Sequence, residues 1–306
     1  MKKIRIGTRD SRLALIQTQM VADCITKYDP GIIVEIVPMK TTGDLILDKT
    51  LDKIGGKGLF VKELDRALLE NEVDITVHSF KDMPMEIDER IPIVATGKRE
   101  DPCDVLVLPK GKELDGKLPL GSSSARRNIQ IRRLFPTFDI KPIRGNVLTR
   151  LEKLDRGEYS ALILAAAGLK RLKLDDRISG TFSTDQIIPA NCQGVLAVQG
   201  RADFPKEILK VFHDEDSFIT SSCERAFVKE LNGGCSAPIA AYARIDGDQL
   251  ILSGLYVREE EFEHYKNEAE RGNICPLNIY KGAKTARIDE AEKLGITLAR
   301  ELKSKA

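Results

Sequence analysis

The sequence predicts an α/β protein, with two similar α/β halves hinged about a cleft and a small α+β domain after them. Three observations carry that expectation. Strand and helix patterns alternate through the first half. They resume after a break of charge and proline at residues 97–102. In the last third they give way to a hairpin and a terminal helix. The length of 306 residues exceeds the ~250–300 at which one core stops growing, so two or three domains are expected.

Each element has a local reason. Residues 3–7 form a short β run. Residues 13–27 carry Leu13, Ile16, Met20, Val21 and Cys24 at helical spacing, with Asp10 or Ser11 as N-cap. A strand at 32–39 is followed by an amphipathic helix at 58–71, through Leu59, Val61, Leu64, Leu68 and Leu69, and a strand at 73–78. Past the break come a strand at 118–121, a helix at 125–135, a strand at 139–143, a helix at 147–156 and a buried strand at 160–166. The segment 189–203 returns to strand-like residues at 195–198, which makes a second crossing. The expected domains are therefore 1–98 with 194–214, then 99–193, then 215–306. In the last, 221–231 is helical, strands at 239–245 and 249–257 flank the turn Asp246-Gly247-Asp248, and 289–303 is a helix. Residues 258–275 read as a polar, irregular, solvated insertion.

Composition excludes several functions. Lys and Arg number 48 and Asp and Glu 47, a net charge of +1, which argues against a duplex nucleic-acid binder. With 5% aromatics and no Trp, stacking platforms for single strands are scarce. The longest apolar run, 161–169, is about half the ~20 residues of a membrane helix. The N-terminal residues lack the apolar stretch of a signal peptide, so a cytoplasmic protein is expected. None of the six cysteines lies in a CxxC pair, so free thiols and no metal site are expected.

The sharpest cluster is His78-Ser79-Phe80-Lys81-Asp82-Met83-Pro84, leaving a strand end where open α/β sheets place ligands. A lysine beside an aspartate there binds an anion and handles a proton in one place, whereas a bland polar turn needs neither. His78 reads as structural. Gly7-Thr8-Arg9-Asp10-Ser11-Arg12 and Gly121-Ser122-Ser123-Ser124-Ala125-Arg126-Arg127 join a strand to a helix at matching places in the two halves. Small residues at a helix start admit an anion, and arginines grip carboxylate or phosphate. Ordinary capping explains one such site more readily than two. Arg144-Gly145-Asn146, with Arg150, adds to the arginine group of the second half. The segment 54–60 fails as a P-loop, because Lys57 is followed by Gly58, and reads as a loop turning Lys53 and Lys57 to the cleft. Cys235, in Asn232-Gly233-Gly234-Cys235, sits on a glycine-rich loop, where an accessible thiol serves as nucleophile or attachment point.

The ordered segments GTRDSRLA (7–14), GGKGLFVKEL (55–64), HSFKDMP (78–84), GSSSARR (121–127), RGN (144–146), AAAGLKRL (165–172) and NGGCSAPI (232–239) resemble the porphobilinogen deaminase (hydroxymethylbilane synthase) family across nearly the whole chain. The resemblance implies two periplasmic-binding-protein-like α/β domains with a hinge and cleft, plus a small α+β C-terminal domain. It also implies a monomeric transferase that deaminates four porphobilinogen molecules and joins them head to tail on a covalent dipyrromethane primer, releasing hydroxymethylbilane and ammonia. By that resemblance Asp82 is the acid–base group, and Cys235 carries the primer as a thioether. Ser79, Lys81, Ser124, Arg126, Arg127, Arg144 and Gly145 bind the cofactor. Arg9, Ser11, Lys53, Lys57, Phe60, Arg144, Arg150, Arg171 and Gln193 bind substrate. Two positions depart from the family pattern, Cys192 in place of a small residue and Gln199 in place of a carboxylate. The competing reading is a non-enzymatic binding protein for a small polycarboxylate, which needs neither Asp82 beside Lys81 nor a loop cysteine.

Overall fold

The structure, a computed structural model, describes residues 3–45, 61–233, 238–271 and 275–306. The chain begins β1 (Lys3–Arg9), α1 (Arg12–Tyr28), β2 (Ile33–Met39), α2 (Lys62–Leu69), β3 (Ile75–Ser79) and β4 (Ile93–Thr96). It crosses to β5 (Asp104–Val107), β6 (Leu120–Gly121), α3 (Ala125–Leu134), β7 (Ile140–Lys141), α4 (Val147–Asp155), β8 (Ala161–Ala165), α5 (Ala166–Arg171) and β9 (Gly180–Thr181). It then crosses back to β10 (Leu196–Gly200). The last part is α6 (Glu215–Glu230), β11 (Ala240–Asp246), β12 (Gln249–Tyr256), α7 (Glu259–Glu270), β13 (Tyr280–Arg287) and α8 (Ala291–Lys305).

The first two sheets share one topology, in the orders β2-β1-β3-β10-β4 and β7-β6-β8-β5-β9. In each, three strands run parallel and the fourth runs against them. That reversed strand is the one entering after a crossing, β5 after the first and β10 after the second. The repeated topology is why the two halves look alike in sequence.

Ser11 caps α1, accepting from the Ala14 N–H at 3.3 Å. The inward stripe of α1 is Ala14, Gln17, Thr18, Val21, Ala22 and Ile25, packed with Ile4 and Ile6 of β1. Met20, expected inside, is 42% exposed. A second core joins Val105 and Val107 to Leu151, Leu154, Leu162 and Leu164. The third part packs Cys223 and Phe227 of α6 and Leu294 and Leu298 of α8 against Leu250 and Leu252 of the sheet β11-β12-β13. Among the described residues, no helix is long and apolar enough to cross a membrane.

The insertion expected to be irregular and solvated at 258–275 is instead helical from Glu259 to Glu270. Its first-turn glutamates favour the helix N-terminus. Phe262 and Tyr265, one turn apart, join Ile129, Ile188, Leu255 and Val257 in an apolar cluster.

The two crossings are bonded to one another. The Glu100 N–H donates to the Gly194 carbonyl at 3.1 Å, and Arg99 Nη1 donates to the Gln193 carbonyl at 3.1 Å. Gly194 has φ +89°, and a Cβ there would lie 2.2 Å from the Glu100 oxygen, so only glycine fits. Glu224 of α6, fully buried, ties the third part to both crossings. It accepts from Arg99 Nη2 at 2.9 Å, the Cys192 N–H at 2.5 Å and the Ala243 N–H at 2.7 Å.

Candidate active site

Parallel strands bring their carboxyl ends to one edge, where ligands of open α/β sheets bind. In the first sheet, β1 ends at Arg9 and β3 at Ser79, followed by a 3-10 turn over Phe80–Asp82. In the second, β6 leads to Ser124, which caps α3 by accepting from the Arg127 N–H at 3.4 Å. After β7, Asn146 caps α4 through the Thr149 N–H at 3.0 Å, and Gly145 before it takes φ +112°. The Gly145 carbonyl accepts from Arg150 Nε at 2.8 Å, which aims that arginine at the same edge.

The two edges meet. Lys81 Nζ, from the first sheet, donates to Gln193 Oε1 on the second crossing at 3.3 Å. Gln193 Nε2 donates to Asp104 Oδ1 at 3.0 Å and to the Pro102 carbonyl at 2.7 Å. Asp104, at the start of β5, is fully buried and accepts from Arg126 Nη1 at 2.7 Å and Arg127 Nε at 2.9 Å. Burial would raise the Asp104 carboxyl, but the two guanidiniums hold it well below the usual carboxylate range.

Positive charge is in excess here. Burial pushes the Lys81 ammonium down to about 8, with Asp82 and Asp104 opposing and Arg127 and Arg126 assisting. Burial, then Arg127 and Arg144, pushes Arg150 down to about 10, which leaves it charged at neutral pH. Lys81, Arg126, Arg127, Arg144 and Arg150 thus surround the two carboxylates Asp82 and Asp104. Such a donor set fits a ligand bearing several carboxylates, which would relieve the mutual repulsion of the cations.

Beside the cations lies a cavity of about 30 Å³, lined by Arg9, Gln17, His78, Ser79 and Asp82 among others. Gln17 Nε2 donates to Ser79 Oγ at 3.2 Å. His78 bonds Thr76 Oγ1 through Nε2 at 2.8 Å; burial, then Arg9, pushes it down to about 4, so it is neutral near pH 7.

The sites expected from sequence divide into three groups. Asp82, Ser79, Lys81, Arg9, Arg127, Arg144, Gly145 and Arg150 lie at the meeting edges, and Ser11 and Ser124 cap the helices that start there. Arg126, Arg171 and Gln193 bind the protein itself, Gln193 through Asp104 and the Pro102 carbonyl. Arg126 Nη1 also donates to the Ile188 carbonyl at 2.8 Å, and Arg171 Nη2 donates to the Gly194 carbonyl at 2.5 Å on the second crossing. Lys53, Lys57, Phe60 and Cys235 lie outside the described residues.

Sequence reasoning passed over Asp104, Gln17, Arg99 and Glu224. For Asp104 a signal existed, since an acidic residue opening the apolar run 105–108 needs a buried partner. The departures are quiet. Cys192 is buried, and burial with Glu224 pushes its thiol up to about 12, so it is not a thiolate near pH 7. Gln199 Nε2 donates to the Ile91 carbonyl at 2.8 Å, away from the cations.

Two α/β sheets of one topology, with cations and the carboxylates Asp82 and Asp104 where their edges meet, define a two-domain fold of the periplasmic-binding-protein type with a small domain after it. Residues 4–208 match the family model described as porphobilinogen deaminase, dipyromethane cofactor binding domain, and residues 218–304 match porphobilinogen deaminase, C-terminal domain. The chain belongs to the porphobilinogen deaminase family. A porphobilinogen deaminase of Acetivibrio thermocellus is 60% identical over 301 residues, 98% of each chain. One of Alkaliphilus oremlandii is 54% identical over 302 residues, 98% of this chain and 97% of that one. Among solved structures, an ancestral arginine-binding protein bound to arginine covers 69% of this chain and 91% of its own, at 16% identity and TM-score 0.37. The second substrate-binding domain of Lactococcus lactis GlnP covers 70% and 87%, at 11% identity and TM-score 0.40. The chain is a transferase of tetrapyrrole biosynthesis that polymerises porphobilinogen, and it contains the dipyrromethane-binding domain.

Proposed function

We propose that Asp82 is the acid–base group of this polymerisation and that the surrounding cations hold the lengthening chain. The observation that supports this is the meeting of the two strand edges, which sets Asp82 among Lys81, Arg150 and the cavity bearing Arg9. When porphobilinogen loses ammonia, its C–N bond breaks and positive charge spreads over the pyrrole. A carboxylate close by stabilises that charge. On coupling, a C–C bond forms at the ring's free α-carbon, and the α-proton passes to Asp82. The dipyrromethane group, when bound, supplies the first such α-carbon.

Cys235 is proposed as the thioether residue, with Ser79, Lys81, Ser124, Arg127, Arg144 and Gly145 holding the cofactor. Arg9, Ser11, Lys53, Lys57, Phe60, Arg150 and Gln193 are proposed to hold substrate. For Arg126 and Arg171 the bonds above support a supporting role, fixing Asp104 and the second crossing. The proposed domains are 1–98 with 194–214, 99–193 and 215–306, a division supported by β10 lying in the first sheet.

Each added pyrrole brings two more carboxylates, so the intermediates are polyanions. Capture of free porphobilinogen is expected to weaken as ionic strength rises, because screening weakens exposed charge pairs first. Steady-state kinetics across a salt series check this, with KM rising. A KM indifferent to salt contradicts the cation role.

A further inference from the structure

Two neighbouring residues of α6 face different parts of the molecule. Glu224 anchors the helix to both crossings. Arg225 reaches the segment that carries Asp82. Its Nη2 donates to the Pro84 carbonyl at 2.6 Å and the Met85 carbonyl at 2.9 Å. Its guanidinium carbon lies 4.8 Å from the centroid of the Phe80 ring. Phe80 and Pro84 bracket Asp82 in sequence, so one planar cation grips the turn on both sides. The geometry suits arginine, which stacks on a ring while donating in its own plane.

The other restraints on this turn tie it to the first sheet and the second crossing: Phe80 and Met83 are buried with Cys192, Val195 and Ala197, and Lys81 bonds Gln193. The turn is closed by the Met83 N–H on the Phe80 carbonyl at 3.2 Å, and joined to β10's flank by the Phe80 N–H on the Val195 carbonyl at 3.0 Å. Neither bond fixes the turn to the third part of the chain. Arg225 does, from the helix whose end leads through Gly233 toward Cys235.

We infer that Arg225 is a positioning residue for the known reaction, setting Asp82 in register with the part of the chain that carries Cys235. The inference rests on the reading of Asp82 as the acid–base group. A misplacement of ~1 Å at a reacting centre can cost about 100-fold in rate.

The test compares Arg225→Gln, Arg225→Lys, Asp82→Asn and Arg5→Gln as holoenzymes. Arg5→Gln breaks the Arg5–Asp74 pair of the first sheet, at 3.1 Å and away from the site, and serves as a destabilised control. For Arg225→Gln, kcat is expected to fall by about tenfold or more with KM within about twofold, since groundstate binding is untouched. Intact mass should show full primer loading, and the amides of Met83 and residues 85–87 should exchange faster than in the wild type. Arg225→Lys, keeping one donor and the charge, should recover part of kcat. Arg5→Gln should lower Tm and leave kcat unchanged. A normal kcat in Arg225→Gln alongside an inactive Asp82→Asn overturns the inference alone. So does an equal kcat loss in Arg5→Gln at matched Tm, which would make the effect one of general stability. Turnover surviving in Asp82→Asn strikes the underlying reading instead.

Discussion

Asp82→Glu is expected to lower turnover by about 100-fold or more while changing KM little. The substitution keeps the charge, so the field that Lys81 and Arg150 feel from this position is largely preserved. What changes is position. The carboxylate moves by one methylene, on a 3-10 turn that Phe80 fixes in the core. Substrate carboxylates are gripped by other groups and should bind nearly as before. Proton transfer and stabilisation of the developing cation depend on the oxygen's own place. Steady-state kinetics, with single-turnover mass spectra to count pyrroles added, separate the two effects. Turnover close to wild type contradicts the role given to Asp82.

The largest expected effect on stability comes from Asp104→Asn. The carboxylate is fully buried and holds Arg126, Arg127 and Gln193. Neutralising it strands two buried guanidiniums without a counter-charge, a loss of about 3–5 kcal/mol. The pH dependence follows from the depressed carboxyl. A group whose folded value lies below its unfolded value of ~4 contributes fully above that value and loses its contribution as pH falls through the folded one. The gap between wild type and variant should stay constant above about pH 5 and close only in acid. Denaturant titrations over that range check both. A loss below ~1 kcal/mol would mean that the arginines find water or other partners.

Fold and site were legible to different degrees, for physical reasons. The parallel strands and α1, α3 and α4 announce themselves by period and cap, as Ser11, Ser124 and Asn146 do. The strands β4, β5 and β9 are two to four residues long and border a crossing, too short to show a period. β13 hides because its inward positions include Gly282 and Lys284 rather than large apolar residues. The space at Gly282 is taken by Leu302 and Leu298 of α8, which local pattern does not show. α7 hides because two aromatic anchors stand in a charged segment. At the site, motifs located the cations and Asp82 but not their partners. Asp104 is about 20 residues from Arg126 and Arg127, and Glu224 is 125 from Arg99; only the fold joins them.

On the proposed reading, a cation-lined cleft holds a chain growing from Cys235 on a covalent dipyrromethane. Intact mass of the purified protein tests it most directly. The wild type should be heavier than its sequence by one dipyrromethane and, on exposure to limited porphobilinogen, gain mass in steps of one pyrrole unit. Cys235→Ser should show the bare mass and no steps. A wild type at bare mass with full turnover, or an adduct that persists in Cys235→Ser, would contradict the account.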